Sequence, residues 1–95
     1  MEIRFRHAKD RRCYERLKEG TRRWGEKVAR RYVQRINILA ACESAVDVKT
    51  FPQLRFHPLK GERKGQYAVD IDEYLRLDEA MTIVVIEGVS KHYED

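Results

Sequence analysis

The stretch LKGERKGQYAVDI, residues 59–71, contains the change of pattern on which the fold turns. Gly61 and Gly65 bracket Glu62, Arg63 and Lys64, and directly after them Tyr67, Val69 and Ile71 alternate with Ala68 and Asp70. Alternation at period two marks a strand, and paired glycines mark the turn that precedes it. Upstream of about residue 54 the apolar residues recur at helical spacing instead. The turn carries more positive charge than a tight connection needs. Its cations are either simply solvated or aimed at a phosphate.

Working outward, EIRF (residues 2–5) alternates Ile3 and Phe5 with Arg4 and Arg6 around them, a short first strand. From Ala8 the pattern is helical, with Cys13, Tyr14 and Leu17 on one face and Gly20 as a C-terminal stop. A second helix carries Val28, Tyr32, Ile36 and Leu39 as its apolar stripe, with Lys27, Arg30, Arg31, Gln34 and Arg35 opposite. The expected helices span residues 8–19 and 25–43. VDVKTFPQ is a connector that Pro52 keeps from being helical. LRFHPLK, QYAVDID, YLRL and TIVVIEGV then read as strands, the first an edge because Pro58 cannot donate to a ladder, the last central. The expected architecture is α+β: two N-terminal helices packed on one face of a small antiparallel sheet of three to five strands. Val28, Tyr32, Ile36, Val69, Ile71, Val85 and Ile86 are expected in its core. The opposite face of the sheet must be partly polar, because each helix has one stripe to offer, and a site can sit there.

A chain of 95 residues suits one domain, residues 1–95. With 42% hydrophobic and 38% charged residues it supports one modest core under a heavily solvated surface. No apolar run approaches membrane-spanning length, and the polar start MEIRFRHAKD lacks the apolar core of a signal peptide, so a cytoplasmic protein without a membrane partner is expected. Cys13 and Cys42 fall beside apolar neighbours in helical patterns and read as buried reduced thiols; their spacing makes no zinc site. Net charge is +4, yet residues 1–35 alone hold 13 Lys/Arg against 5 Asp/Glu. Such a basic helical face is either a solvated surface or the dock of a polyanion.

No glycine-rich nucleotide loop, metal-ligand spacing or nucleophile elbow is present. The candidates are cationic and aromatic: Lys60, Arg63, Lys64, Tyr67, Arg76, Lys91, His92, Tyr93 and the isolated His57. Cleavage of RNA through its own 2′-hydroxyl needs little more than such groups. A base takes the 2′ proton, an acid protonates the leaving 5′ oxygen, and cations stabilise the phosphorane. Aromatic rings can stack on unpaired bases. Each residue also has a plainer reading. His92 suits a solvated tail, Lys60 and Lys64 suit turn charges that blunt a sheet edge, and Tyr67 suits the core. Trp24 and Tyr32 belong to helical stripes and read as core.

Together these residues resemble a family. LKGERKGQYAVDI is similar to the L-K-G-x-R-x-G-Q-aromatic-small-aliphatic signature of HigB-type toxins in the RelE/ParE superfamily. The resemblance covers most of the chain, including a closing aliphatic strand whose EGVSKHY resembles the family's aromatic and histidine ending. It implies a RelE-like fold and a toxin of a type II toxin–antitoxin system, a ribosome-dependent, metal-independent mRNA endoribonuclease that inhibits translation without a cofactor. The implied partners are the ribosome, mRNA and a helix-turn-helix, HigA-like antitoxin. By position, Lys60 matches the lysine of L-K-G, Arg63 the motif arginine and His92 the terminal histidine. Arg76 is the nearest match to the arginine that follows the family's aromatic strand residue. These four are the implied catalytic set, with Lys64, Tyr67, Lys91, Tyr93 and His57 toward RNA. Relatives place that arginine directly after Tyr or Trp, whereas YLRL interposes Leu75, and DEAM replaces a longer aliphatic segment. The departure leaves two readings, a shifted register or a weakened activity. Two other functions stay open: a gyrase poison of the ParE kind, and a degenerate homologue that binds antitoxin without toxicity.

Overall fold

Residues 1–69, 73–78 and 81–89 are described by a computed structural model. Strand β1 (Glu2–Phe5) leads into helices α1 (Ala8–Glu15), α2 (Leu17–Trp24) and α3 (Glu26–Ala41), followed by the short α4 (Ala45–Val48). A 3₁₀ turn, Pro52–Leu54, then delivers the chain to β2 (His57–Pro58), β3 (Tyr67–Val69), β4 (Glu73–Leu77) and β5 (Ile83–Val89). The strands form one five-stranded sheet in the order β1-β5-β4-β3-β2. The protein is therefore an α+β domain whose helices cover one face of its sheet.

The α3 stripe forms as its spacing requires, with Ala29, Tyr32, Ile36 and Leu39 buried. They meet Leu75 of β4 and Val84 and Ile86 of β5, each fully buried. Each of the larger aliphatic side chains contributes roughly 1.5–3 kcal/mol through the water it sheds. Trp24 and Tyr32 are core residues, their rings 4.7 Å apart. Cys13 and Cys42 are free and buried, and burial raises both thiols above their ordinary range.

Several expectations need correcting. The helix expected over residues 8–19 is two helices, broken where Arg16 adopts an extended conformation. Gly20 does not stop it. It lies buried inside α2, where an added Cβ would come within 3.1 Å of the Ala29 Cβ, so it permits the close approach of α2 and α3. The turn between them is made by Gly25, whose φ of 87° side-chain-bearing residues rarely adopt. The connector after α3 is not irregular throughout, since α4 and the 3₁₀ turn bury Val48 and Leu54. Of LRFHPLK only His57–Pro58 is strand, and it is an edge, as Pro58 demands. The sheet is mixed rather than antiparallel, because β1 pairs parallel to β5, Ile3 opposite Val84 and Phe5 opposite Ile86. Val28 and Val85 are half-buried rather than core. Val85 alternates with Val84 and Ile86, so its side chain takes the face away from the helices. Ile71 lies outside the described residues.

A buried polar knot joins the helices. Asp10, 1% exposed, accepts a hydrogen bond from Arg23 Nη1 at 2.7 Å, and its backbone carbonyl accepts one from the Tyr32 hydroxyl at 2.9 Å. The Arg23 guanidinium also lies 4.6 Å from the Trp24 ring centroid. Among the described residues no helix is long and apolar enough to cross a membrane.

Candidate functional site

The two faces of the sheet follow from its register, because paired residues share a face. Leu75 pairs with Tyr67 and Ile86 and faces the helices. Its neighbours Tyr74 and Arg76 therefore take the outer face, where Tyr74 pairs with Ala68 and Arg76 with Val85. The interposed Leu75 is what period two requires: it lets Tyr74 and Arg76 share a face while Leu75 fills the core. His57, paired with Ala68, belongs to the same outer row as Tyr74.

The charged turn folds back over this face. Gly61–Arg63 forms one 3₁₀ turn, closed when Lys64 N–H donates to the Gly61 carbonyl and Gln66 N–H to that of Arg63. Gly65 then takes a φ of 93°, and a Cβ built there would stand 3.7 Å from Arg76 Nη1. The same fold sets the Arg63 guanidinium 3.7 Å from the centroid of the Tyr74 ring. Arg63 Nη1 also donates to Oε1 of the buried Gln66 at 3.0 Å. Two arginines far apart in sequence are thus brought to one surface by a turn and the strand beneath it.

Glu87 lies below Arg76. A bulge in β5, where Tyr74 pairs with Gly88 and Leu75 with Ile86, leaves Glu87 as the extra residue. Its side chain is only 5% exposed, and Oε1 accepts a hydrogen bond from Arg76 Nε at 2.5 Å. Arg6, just past β1, brings Nη1 to 3.6 Å from the same oxygen. Oε2 is buried without a hydrogen-bond partner among the described residues.

Of the sequence-derived candidates, Arg63 and Arg76 are brought together. Lys60 and Lys64 are exposed on the flanks of the same turn. His57 is exposed on the outer face, with Nδ1 donating to the Arg55 carbonyl at 2.5 Å. Tyr67 is not part of the cluster. Its ring stacks on Phe56 at 5.1 Å on the helix side and packs against the core, because it shares the phase of Val69. Lys91, His92 and Tyr93 lie outside the described residues. Tyr74, Gln66, Glu87 and Arg6 were missed. Tyr74 and Arg76 share a phase in EYLRL, and a lone glutamate followed by glycine inside the aliphatic VVIEGV signals a bulge and a carboxylate in need of a cation.

Neither family models, nor curated proteins, nor solved structures give a match to this chain. Among the described residues no group of three or more His, Cys, Asp or Glu is placed to hold a metal ion. What the cluster offers is a fixed array of guanidinium groups on an open strand surface beside an aromatic ring, a chemistry suited to phosphate and to unpaired bases.

Proposed function

We propose that this chain is a HigB-type toxin of the RelE/ParE superfamily, with a RelE-like fold. In this reading it is a cytoplasmic, metal-independent endoribonuclease that cuts mRNA on the ribosome and is neutralised by a helix-turn-helix antitoxin. The observation that carries the proposal is the seating of the 59–66 turn over β4, which gathers Arg63, Tyr74 and Arg76 on one surface. That turn is also the segment with the family's signature.

In the proposed reaction the 2′-hydroxyl oxygen attacks the adjacent phosphorus and the bond from phosphorus to the 5′ oxygen breaks. The products are a 2′,3′-cyclic phosphate and a free 5′-hydroxyl. The 2′ proton passes to a base, and an acid supplies one to the leaving oxygen. Arg63 and Arg76 hold the phosphate and stabilise the charge that grows on it in the phosphorane. Lys60 and Lys64 draw in the strand's backbone from the turn. Tyr74, its ring already under a guanidinium, offers a platform beside a splayed base. His92 is assigned the proton transfer by the resemblance, and His57 is the histidine that the described outer face supplies.

Mapping mRNA 5′ ends after induction, beside a gyrase supercoiling assay, tests the proposal. New 5′-hydroxyl ends within translated codons and normal supercoiling are expected. Intact mRNA with inhibited gyrase would replace the nuclease by a ParE-like poison, and normal growth without antitoxin would leave an antitoxin-binding homologue.

A further inference from the structure

Glu87 is the feature of the outer face that neither the motif nor the chemistry of a cationic site requires. Burying a carboxylate is costly unless cations and hydrogen bonds compensate it, and a buried oxygen left unpaired adds to the cost. The bulge that places Glu87 beside Arg76 also leaves it out of the ladder, between Gly88 paired with Tyr74 and Ile86 paired with Leu75. A negative charge among guanidinium groups also weakens their attraction for a phosphate. A solvated surface would gain nothing from such a residue.

Resting on the endoribonuclease reading, we propose that Glu87 is the positioning residue of the site and that Arg6 is a third phosphate-binding cation held by it. The geometry gives each part a reason. Arg76 spends Nε on Glu87 Oε1 at 2.5 Å, which fixes the plane of the guanidinium and leaves its two terminal nitrogens as a fork for a phosphodiester oxygen pair. Both terminal nitrogens lack a hydrogen-bond partner among the described residues, and Nη1 lies beside the Gly65 turn. Arg6 approaches the same carboxylate from β1, across β5 from Arg76, with most of its side chain exposed. One buried carboxylate therefore orients two half-free arginines drawn from opposite ends of the described chain. With Arg63 over Tyr74 they form a row of cations across β1, β5 and β4, the footprint of a phosphodiester backbone rather than of a single anion.

A double-mutant cycle read by single-turnover cleavage of a programmed ribosome tests this. Glu87→Ala is expected to lower kcat/KM by about 10–10²-fold, since a misplaced cation fails in both the bound state and the transition state. Glu87→Gln keeps an acceptor oxygen for Arg76 Nε and should retain activity within about threefold, with an unchanged pH profile. In an Arg6→Ala/Arg76→Ala background, Glu87→Ala should cost less than about threefold, because its effect travels through those two arginines. An equal loss in that background would assign Glu87 a purely structural role and overturn the proposal. Loss of activity in Glu87→Gln, with the acidic limb of the pH profile gone, would make Glu87 a proton-transfer group and overturn it too. If Glu87→Ala does not fold, Arg6→Ala decides. Its affinity for a single-stranded RNA oligonucleotide should fall and the salt dependence should lose close to one counterion; unchanged binding and salt slope refute the assignment. A wild-type protein that neither binds nor cuts RNA would instead refute the endoribonuclease reading itself.

Discussion

Arg63→Ala separates the site from the fold. Arg63 makes a cation–π contact with Tyr74 at 3.7 Å and donates to Gln66 at 3.0 Å, while its own residue is exposed. The first interaction is worth about 0.5–1 kcal/mol at an exposed position. The second adds about 1 kcal/mol, more if Gln66, which is buried, finds no water to replace the guanidinium. Loss of roughly 1.5–2 kcal/mol should lower Tm by about 6–16 °C in a domain of this size. Most molecules would then stay folded at 25 °C. The chemical step should suffer far more, by about 10²–10³-fold in single-turnover cleavage, as expected when a cation facing the developing charge is removed. Arg63→Lys should recover part of the cleavage but little of the stability, because an ammonium supplies charge without the planar fork. Calorimetry and cleavage of a programmed ribosome measure the two quantities. Cleavage that falls only in proportion to the unfolded fraction would refute the reasoning and leave Arg63 a structural residue.

Arg23→Met should cost about 3–5 kcal/mol in urea unfolding, because it strands the buried Asp10 carboxylate; adding Asp10→Asn should restore part of that, and additive losses would contradict the pairing. The Asp78 carboxyl is held below its ordinary 3.8 by hydrogen bonds from Ile83 N–H first and then from Thr82. A lowered value contributes stability that is fully present above about pH 4 and disappears as pH falls through the folded value. Asp78→Ala should therefore destabilise at pH 7, with the difference from wild type shrinking as pH falls below the ordinary carboxylate range, and a difference independent of pH would contradict it. Arg31 and Arg35 are half-buried, so charge reversal of the basic α3 face belongs at the exposed Lys27 and Arg30; the double Glu variant should bind ribosomes more weakly and with a shallower salt slope, and sedimentation showing no change would make that face merely solvated.

Much of this fold is written in periodicity. Tyr32, Ile36 and Leu39 follow the helical stripe, and Val84 and Ile86 the strand, because burial on one face imposes its period on sequence. Pairing leaves no such trace. Nothing in EIRF says that it lies parallel to β5, since the partner and its direction are set by how the helices return the chain. Gly20 shows a second limit. A glycine can end a helix or let two helices touch, and only the Ala29 Cβ opposite it decides which. At the site, Arg63 and Arg76 were legible from composition and motif. Tyr67 carried both an RNA-facing and a core reading because an alternating aromatic at the start of a strand fits either face until the register is known. Glu87 was passed over because its role depends on a bulge that moves it beneath Arg76.

The central claim is that Arg63 and Arg76 form a phosphate site for RNA cleavage, and a programmed ribosome tests it most directly. Purified protein is added under single-turnover conditions and 5′ ends are mapped on the mRNA, with Arg76→Ala alongside. The account predicts a cut within the A-site codon by the wild type and cleavage slower by about 10²-fold or more in Arg76→Ala. Intact mRNA with wild-type protein, or equal cutting by both, would contradict it.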